Sequence, residues 1–424
     1  MPMTTPTAPA APAVAPLAAA SPGIAGVRVL GAWTREHQAR CDAWLSEHGL
    51  DGRVVQDAGT GGGDGRRFRM MPPAAPGQLA TSGRTRVSGD SASTADAGDL
   101  SHALDTAGLA AALGLSPDDS DRDLDAEILA AMLMSPLAFD FPSLDEWQSA
   151  VRLRRFIVQA GRRTVLAFDT EHAERPDCWR WSEETGFILL PGHELIPSLE
   201  RTLWPDVSGR LYSFSCYRAT EYVLLLAIAR ELEVSHPAAL AALQAQWQVK
   251  AIQSGPFHDA FLHEYGSLQA PLPFRYYVPG DRLWFRNPDE PSACVEGYEG
   301  SWVFYLGQGR FTNFWKPDQP YTLTTKCVEI HHWRDGLRTD VPAGASVPGG
   351  PEAAPGARYA PWIDESIVEA RAAETLADPL AMRRVLERMM RLRDPAGVYG
   401  QGGCIDASRE AVRCVRPGTF ALTV

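Results

Sequence analysis

The sequence predicts an α+β fold, and three observations carry that reading. From Tyr217 to Glu233 no Gly or Pro interrupts a run in which Tyr222, Leu225, Leu226 and Ala229 recur at helical spacing. Val223, Leu224 and Ile228 fill much of the rest, so this helix is apolar nearly all round and belongs in a core. Second, residues 282–315 alternate and carry hairpin signals, with Arg282-Leu283-Trp284-Phe285 ahead of an Asn287-Pro288-Asp289 turn. Third, helical patterns dominate before residue 250 and strand patterns follow, a segregation that marks α+β rather than alternating architecture.

The elements follow in order. Met1 to Ser21 is uncharged, with prolines at 2, 6, 9, 12 and 16, and reads as a disordered tail. Val27–Leu30 and Trp33–Leu50 read as a short strand and a small amphipathic helix. Residues 57–66 are Gly-rich, and 72–105 are rich in Ser, Gly, Ala, Pro and Asp. Such stretches bury too little to order themselves, so about 1–120 is expected to be mostly disordered, with a short ordered segment at 27–50. Asp121–Met134 is a helix with acids in its first turn, stopped by Pro136. Ser143 caps a second helix to Arg162. Thr164–Phe168 reads as a buried strand ending at Asp169, Gly186–Leu190 as another apolar run, and Leu195–Leu203 as a short helix. Beyond the central helix come a helix at Pro237–Val249 and a loop holding His258, His263 and Glu264. A hairpin follows, Ser301–Leu306 with Gly309–Trp315. Tyr321–Thr325 adds a strand, and Val328–Arg334 is short helix or strand. Residues 341–360 are a Pro/Gly/Ala linker, and Ile363–Leu392 is a helical C-terminal extension broken at Pro379. The catalytic unit is therefore expected over 121–340, with the extension over 361–424.

Composition narrows the function classes. The 424 residues carry a net charge of −12 and 45% hydrophobic residues, with a pI near 5.4. Enough is apolar for a sizeable core, and no basic footprint for nucleic acid exists. No apolar run reaches the roughly 18–20 residues of a membrane span. The start lacks the basic residues and unbroken apolar stretch of a secretory signal, which predicts a cytoplasmic chain, with export by a dedicated secretion system left open. Seven cysteines at wide spacing include no Cys-x-x-Cys pair, so no zinc ribbon or thioredoxin motif is expected. Cys404 and Cys414 could pair in an oxidising setting. No metal constellation and no phosphate-cradling Gly-rich loop is visible.

The chemistry-bearing stretch is Gly209–Glu233. A polar and aromatic turn gives way to the central helix at Cys216, with Ser213 or Ser215 available as N-cap. Unpaired N–H groups and the positive end of the helix dipole favour a thiolate there, the arrangement of a thiol nucleophile. The same placement also suits a small buried apolar residue.

Several segments together carry a resemblance. Trp181-Ser182-Glu183-Glu184-Thr185-Gly186-Phe187 and Leu211-Tyr212-Ser213-Phe214-Ser215-Cys216 precede the apolar helix. Val278-Pro279-Gly280-Asp281 leads into Arg282–Phe285 and Asn287-Pro288; then come Tyr298-Glu299-Gly300 and Tyr305-Leu306-Gly307. In this order and spacing, over about residues 165–330, the chain resembles the Bacillus-type (spore-coat) transglutaminases, protein-glutamine γ-glutamyltransferases. The resemblance implies a papain-like thiol-enzyme core, its nucleophile Cys216 at the start of a central buried helix packed on an antiparallel sheet. It implies acyl transfer from protein glutamine to an amine or water through a thioester, with protein substrates and no cofactor or calcium.

This sequence departs from the family at three positions. Ser215 stands where the family has Glu, Ser301 where it has the catalytic acid, and Phe314 where it has the catalytic His. Candidate replacements are His331 and His332, 17 and 18 residues past Phe314, as base, and Glu299 as acid. Trp284, Trp302 and Trp315 are candidate apolar walls for the substrate, or plain core. Two other readings stay open: an inactive transglutaminase-fold binding protein, and a thiol amidase or peptidase with a relocated His.

Overall fold

The computed structural model describes residues 24–58, 65–71, 106–167, 173–265, 277–339, 361–391 and 409–412. The Ala/Pro-rich start, the 72–105 stretch, Asp169, the 341–360 linker, Cys404 and Cys414 lie outside these residues.

The first layer extends the ordered segment expected at 27–50. Strand β1 (Val27–Val29), helix α1 (Arg35–Glu47) and strands β2 (Val54–Ala58) and β3 (Arg66–Met70) are all formed. After a short helix α2 (Leu109–Leu113) come α3 (Asp121–Leu133), β4 (Phe139–Phe141) and α4 (Leu144–Arg163). The four strands make one sheet, ordered β2-β3-β1-β4, in which β1 runs parallel to β4. The inward side chains Val27, Val29, Phe68 and Met70 are covered by α3, buried from Leu124 to Leu133, and by Trp147 of α4. Trp44 of α1 meets Trp147 edge-on, ring centroids 5.1 Å apart, a geometry favourable for aromatic pairs. The cover for these strands lies far downstream in the chain, so each segment read alone lacks a partner for its apolar face.

The central layer follows its sequence signals closely. Hairpin β5 (Trp179–Ser182) and β6 (Gly186–Leu189) precedes α5 (Leu195–Leu203) and a single turn, α6 (Pro205–Ser208). Then α7 (Cys216–Ser235) crosses the core, with every residue from Ala219 to Ala229 buried, and α8 (Pro237–Val249) packs beside it. Ser215 is the N-cap, its hydroxyl accepting from the Arg218 N–H at 3.3 Å. The expected strand at Thr164–Phe168 is reduced to one parallel bridge, Ala167 to Ser213. The loop expected at His258 and His263 is instead α9 (Gly255–Phe261) running into β7 (Leu262–Tyr265).

Strand β8 (Arg282–Arg286), a turn of helix α10 (Glu290–Ala293), β9 (Gly300–Gly307), β10 (Arg310–Phe311) and β11 (Tyr321–Thr322) complete the larger sheet. It then continues into α11 (Leu323–Gly336), β12 (Leu337–Arg338), β13 (Trp362–Ile363), α12 (Glu365–Ala377), α13 (Pro379–Met389) and β14 (Arg409–Val412). The six strands are ordered β11-β10-β9-β8-β14-β7. Side chains alternate across a strand, so paired residues share a face. Trp284–Trp302 and Arg282–Phe304 pair on one face; Leu283–Val303 and Phe285–Ser301 pair on the other. Phe304 joins the core around α7, whereas Leu283, Phe285, Val303 and Tyr305 pack with Cys327, Ile330 and Trp333 of α11. The sheet thus separates α7 from the α11–α13 helices. No helix among the described residues is long and apolar enough to cross a membrane.

The tight turn between β9 and β10 holds three consecutive positive φ values: Gly307 at 89°, Gln308 at 53° and Gly309 at 72°. Glu127 of α3 reaches it, one carboxylate oxygen accepting the Gln308 N–H at 2.8 Å. A Cβ on residue 307 would sit 2.5 Å from the other oxygen, so only glycine fits there.

Candidate active site

Cys216 is the first residue of α7, half-buried, where helix geometry leaves N–H groups without intrahelical partners. Burial is the largest influence on its thiol and pushes its pKa up. Four influences oppose that rise: the Trp302 backbone N–H, the Lys326 charge, the Tyr217 backbone N–H and the Arg282 charge. All four favour the thiolate, but burial outweighs them.

Arg282 is itself buried and clamped by rings, its guanidinium carbon 4.1 Å from the Trp302 ring centroid and 4.7 Å from that of Tyr217. Tyr217 meets Trp302 edge-on at 5.5 Å, and Trp302 stacks on Trp284 at 5.8 Å. These half-buried rings form a continuous wall beside the thiol. Trp315 lies elsewhere in the pairing, against Phe314 at 6.5 Å. Lys326, in the first turn of α11, is almost fully buried. Its ammonium donates to Glu329 at 2.8 Å and lies 4.0 Å from the Tyr321 ring centroid. Burial works against that charge, but Glu329 and Tyr321 prevail and hold its pKa above the ordinary lysine value. A permanently protonated lysine acts as a fixed positive charge rather than a base.

The expected replacements for the family's base and acid are placed elsewhere. His332 is oriented by Asp335 and Thr375, with Nδ1 2.5 Å from Asp335 Oδ2 and Nε2 2.7 Å from Thr375 Oγ1. His331 meets the His332 ring edge-on at 4.9 Å, and burial, helped by the charges of Arg334, His332 and Arg388, drives its pKa down to about 4. Both imidazoles belong to the helices behind the sheet. Lys326 lies on the same helix with its ammonium on Glu329 and Tyr321, and five and six residues further on the helix has rotated His331 and His332 to other surroundings. Glu299 is exposed in the turn before β9. Ser301 is buried on the sheet face opposite Trp302, and its hydroxyl has no hydrogen-bond partner. Phe314 is buried in the central core. One turn into α7, the buried Glu221 is ion-paired with Arg218 and accepts the Ser254 N–H at 2.6 Å.

Arg282 and Lys326 escaped the sequence reading. The alternation of Arg282-Leu283-Trp284 placed the arginine on the tryptophan face, a usable signal. Lys326 carried only an i,i+3 acid, Glu329, which ordinarily marks a solvated helix face.

The family model for protein-glutamine gamma-glutamyltransferase matches residues 110–422, most of the chain. The chain belongs to this family. No curated protein matches it significantly. The match extends well beyond the 165–330 stretch that carries the motifs, and takes in α3 and α4 on one side and α11 to β14 on the other. Members of the family act on protein substrates, which fits an acidic chain with no basic stripe for nucleic acid.

Proposed function

We propose that this transglutaminase-family chain transfers acyl groups from protein glutamine through Cys216, on a papain-like core. The thiol gives its proton to solvent, the thiolate attacks the glutamine carboxamide, the C–N bond breaks, and the leaving nitrogen takes a proton from solvent to depart as ammonia. The resulting thioester passes its acyl group to a lysine amine, or to water in deamidation. The observation that carries this reading is the place of Cys216 at the first turn of the buried helix α7, where the Trp302 and Tyr217 N–H groups and the Arg282 and Lys326 charges all oppose the rise of its pKa. Trp284 and Trp302 would line the approach and keep water from the thioester.

With no imidazole assigned to the thiol among the described residues, deprotonation is assigned to solvent. The rate then follows the thiolate fraction and climbs with pH past the free-thiol value of about 8.5. The test is incorporation of an amine probe into a glutamine-bearing protein between pH 7 and 10, in the parent chain and in Cys216→Ala. Incorporation that rises with pH and vanishes in the variant supports acyl transfer. Full incorporation by Cys216→Ala would end the proposal.

Ser301 and Phe314, standing at the family's acid and His positions, favour a second reading: a binding protein that keeps the fold without turnover. It predicts no incorporation at any pH, and alkylation of Cys216 no faster than that of a free thiol.

A further inference from the structure

His332, one of the two imidazoles expected to serve Cys216, stands in a complete arrangement of its own. Its Nδ1 lies 2.5 Å from Asp335 Oδ2, and a carboxylate can only accept, so Nδ1 carries the hydrogen. In the neutral ring Nε2 then presents a lone pair. Thr375 Oγ1, 2.7 Å away on α12, must donate to it. Carboxylate, imidazole and hydroxyl therefore follow one another in the order and polarity that activate a hydroxyl nucleophile on unrelated folds. All three groups line an open groove of about 870 Å³ between α11 and α12, together with Arg338, Arg371 and Glu374.

We propose that Thr375 is the nucleophile of a second active site, an esterase-type centre acting on small carboxylic esters, with His332 as general base and Asp335 as the group that orients it. Thr375 Oγ attacks the ester carbonyl carbon while its proton passes to His332 Nε2. The bond to the leaving alcohol breaks, and that oxygen takes the proton back from the imidazolium. Water then cleaves the threonyl ester along the same proton path, releasing the acid and restoring the hydroxyl. The lining, with Arg338 and Arg371 set against Asp335 and Glu374, suits a short polar acyl group rather than a long lipid chain. This site is independent of the acyl transfer proposed for Cys216.

The test uses the full chain carrying Cys216→Ala, treated with p-nitrophenyl acetate and, separately, with a fluorophosphonate probe, the adducts being located by mass spectrometry. The expected result is acetyl and phosphonyl adducts on Thr375 and nitrophenol release that falls about a hundredfold in Thr375→Val and His332→Asn. Thr375→Ser, which keeps the hydroxyl, retains labelling and separates chemistry from packing. Absence of an adduct on Thr375 in the Cys216→Ala chain, or equal labelling after His332→Asn in a protein that melts normally, overturns the proposal and leaves the three residues as a helix clamp.

Discussion

The two faces of the larger sheet carry different chemistry. On the α7 face sits the Cys216 thiol, its rise in pKa opposed by two cations and two backbone N–H groups, with no imidazole among the influences on it from the described residues. On the α11 face sits a well-oriented imidazole, His332, with a carboxylate on one nitrogen and only a threonine hydroxyl on the other. The comparison teaches that neighbouring positions in sequence do not deliver neighbouring chemistry. Lys326 and His332 share a helix, and its rotation turns them to different partners, Glu329 and Tyr321 for the lysine, Asp335 and Thr375 for the histidine.

The largest expected effect breaks the α7 side outright. Cys216→Ala should lower amine incorporation by at least about a hundredfold, to the background of an uncatalysed mixture. Residual activity within tenfold of the parent chain would move the nucleophile elsewhere.

Next in size is an effect at the hairpin where the two faces meet. Burial raises the Glu127 carboxyl to about 7 from its ordinary 4.5, against the lowering influence of the Gln308 N–H, Arg162 and Arg310. A raised carboxyl holds its proton more tightly folded than unfolded. Its contribution therefore favours the fold most below pH 4.5 and is lost as pH rises through 7. Between pH 5 and 8 the parent chain should lose roughly 2 kcal/mol of stability relative to Glu127→Gln. Denaturant titrations of both proteins at the two pH values measure this, and parallel behaviour would refute it.

A third experiment sharpens the contrast between lysine and histidine on α11. Lys326→Met removes a charge that opposes the rise in the Cys216 pKa, so alkylation at pH 8 should slow by about tenfold. His331→Gln, on the same helix, should leave alkylation within twofold. An equal effect from both variants would erase the distinction between the two sides.

The smallest effect concerns Ser301. Its buried hydroxyl lacks a partner, a cost to the fold. Ser301→Ala should leave Cys216 alkylation unchanged and raise stability by about 0.5–1 kcal/mol. A loss of stability would mean the hydroxyl is satisfied after all.

Much of this was legible in the residues. The apolar run after Cys216 could only be a buried helix, and Ser143 and Ser215 marked two helix starts by their capping chemistry. The Gly307–Gly309 turn announced its hairpin. What stayed hidden depended on partners distant in the chain. Val27, Val29 and Phe68 look like isolated fragments until α3 and Trp147 cover them. Position 216 was readable because helix starts are local, whereas the company it keeps comes from β8, β9 and α11. Thr375 gave no signal at all, since a threonine inside a helix reads as ordinary surface until His332 is brought against it.

The contact between Gly307 and Glu127 has a consequence for how this chain can drift. The two residues are not equally free to change. A side chain at 307 collides with the carboxylate, and a shorter residue at 127 strands the Gln308 N–H. The φ of 89° at 307 would strain any other residue even beside a shorter side chain at 127, so the glycine is held twice over. Across descendants of this sequence, position 307 should therefore stay glycine, while 127 admits only residues that still accept the Gln308 N–H.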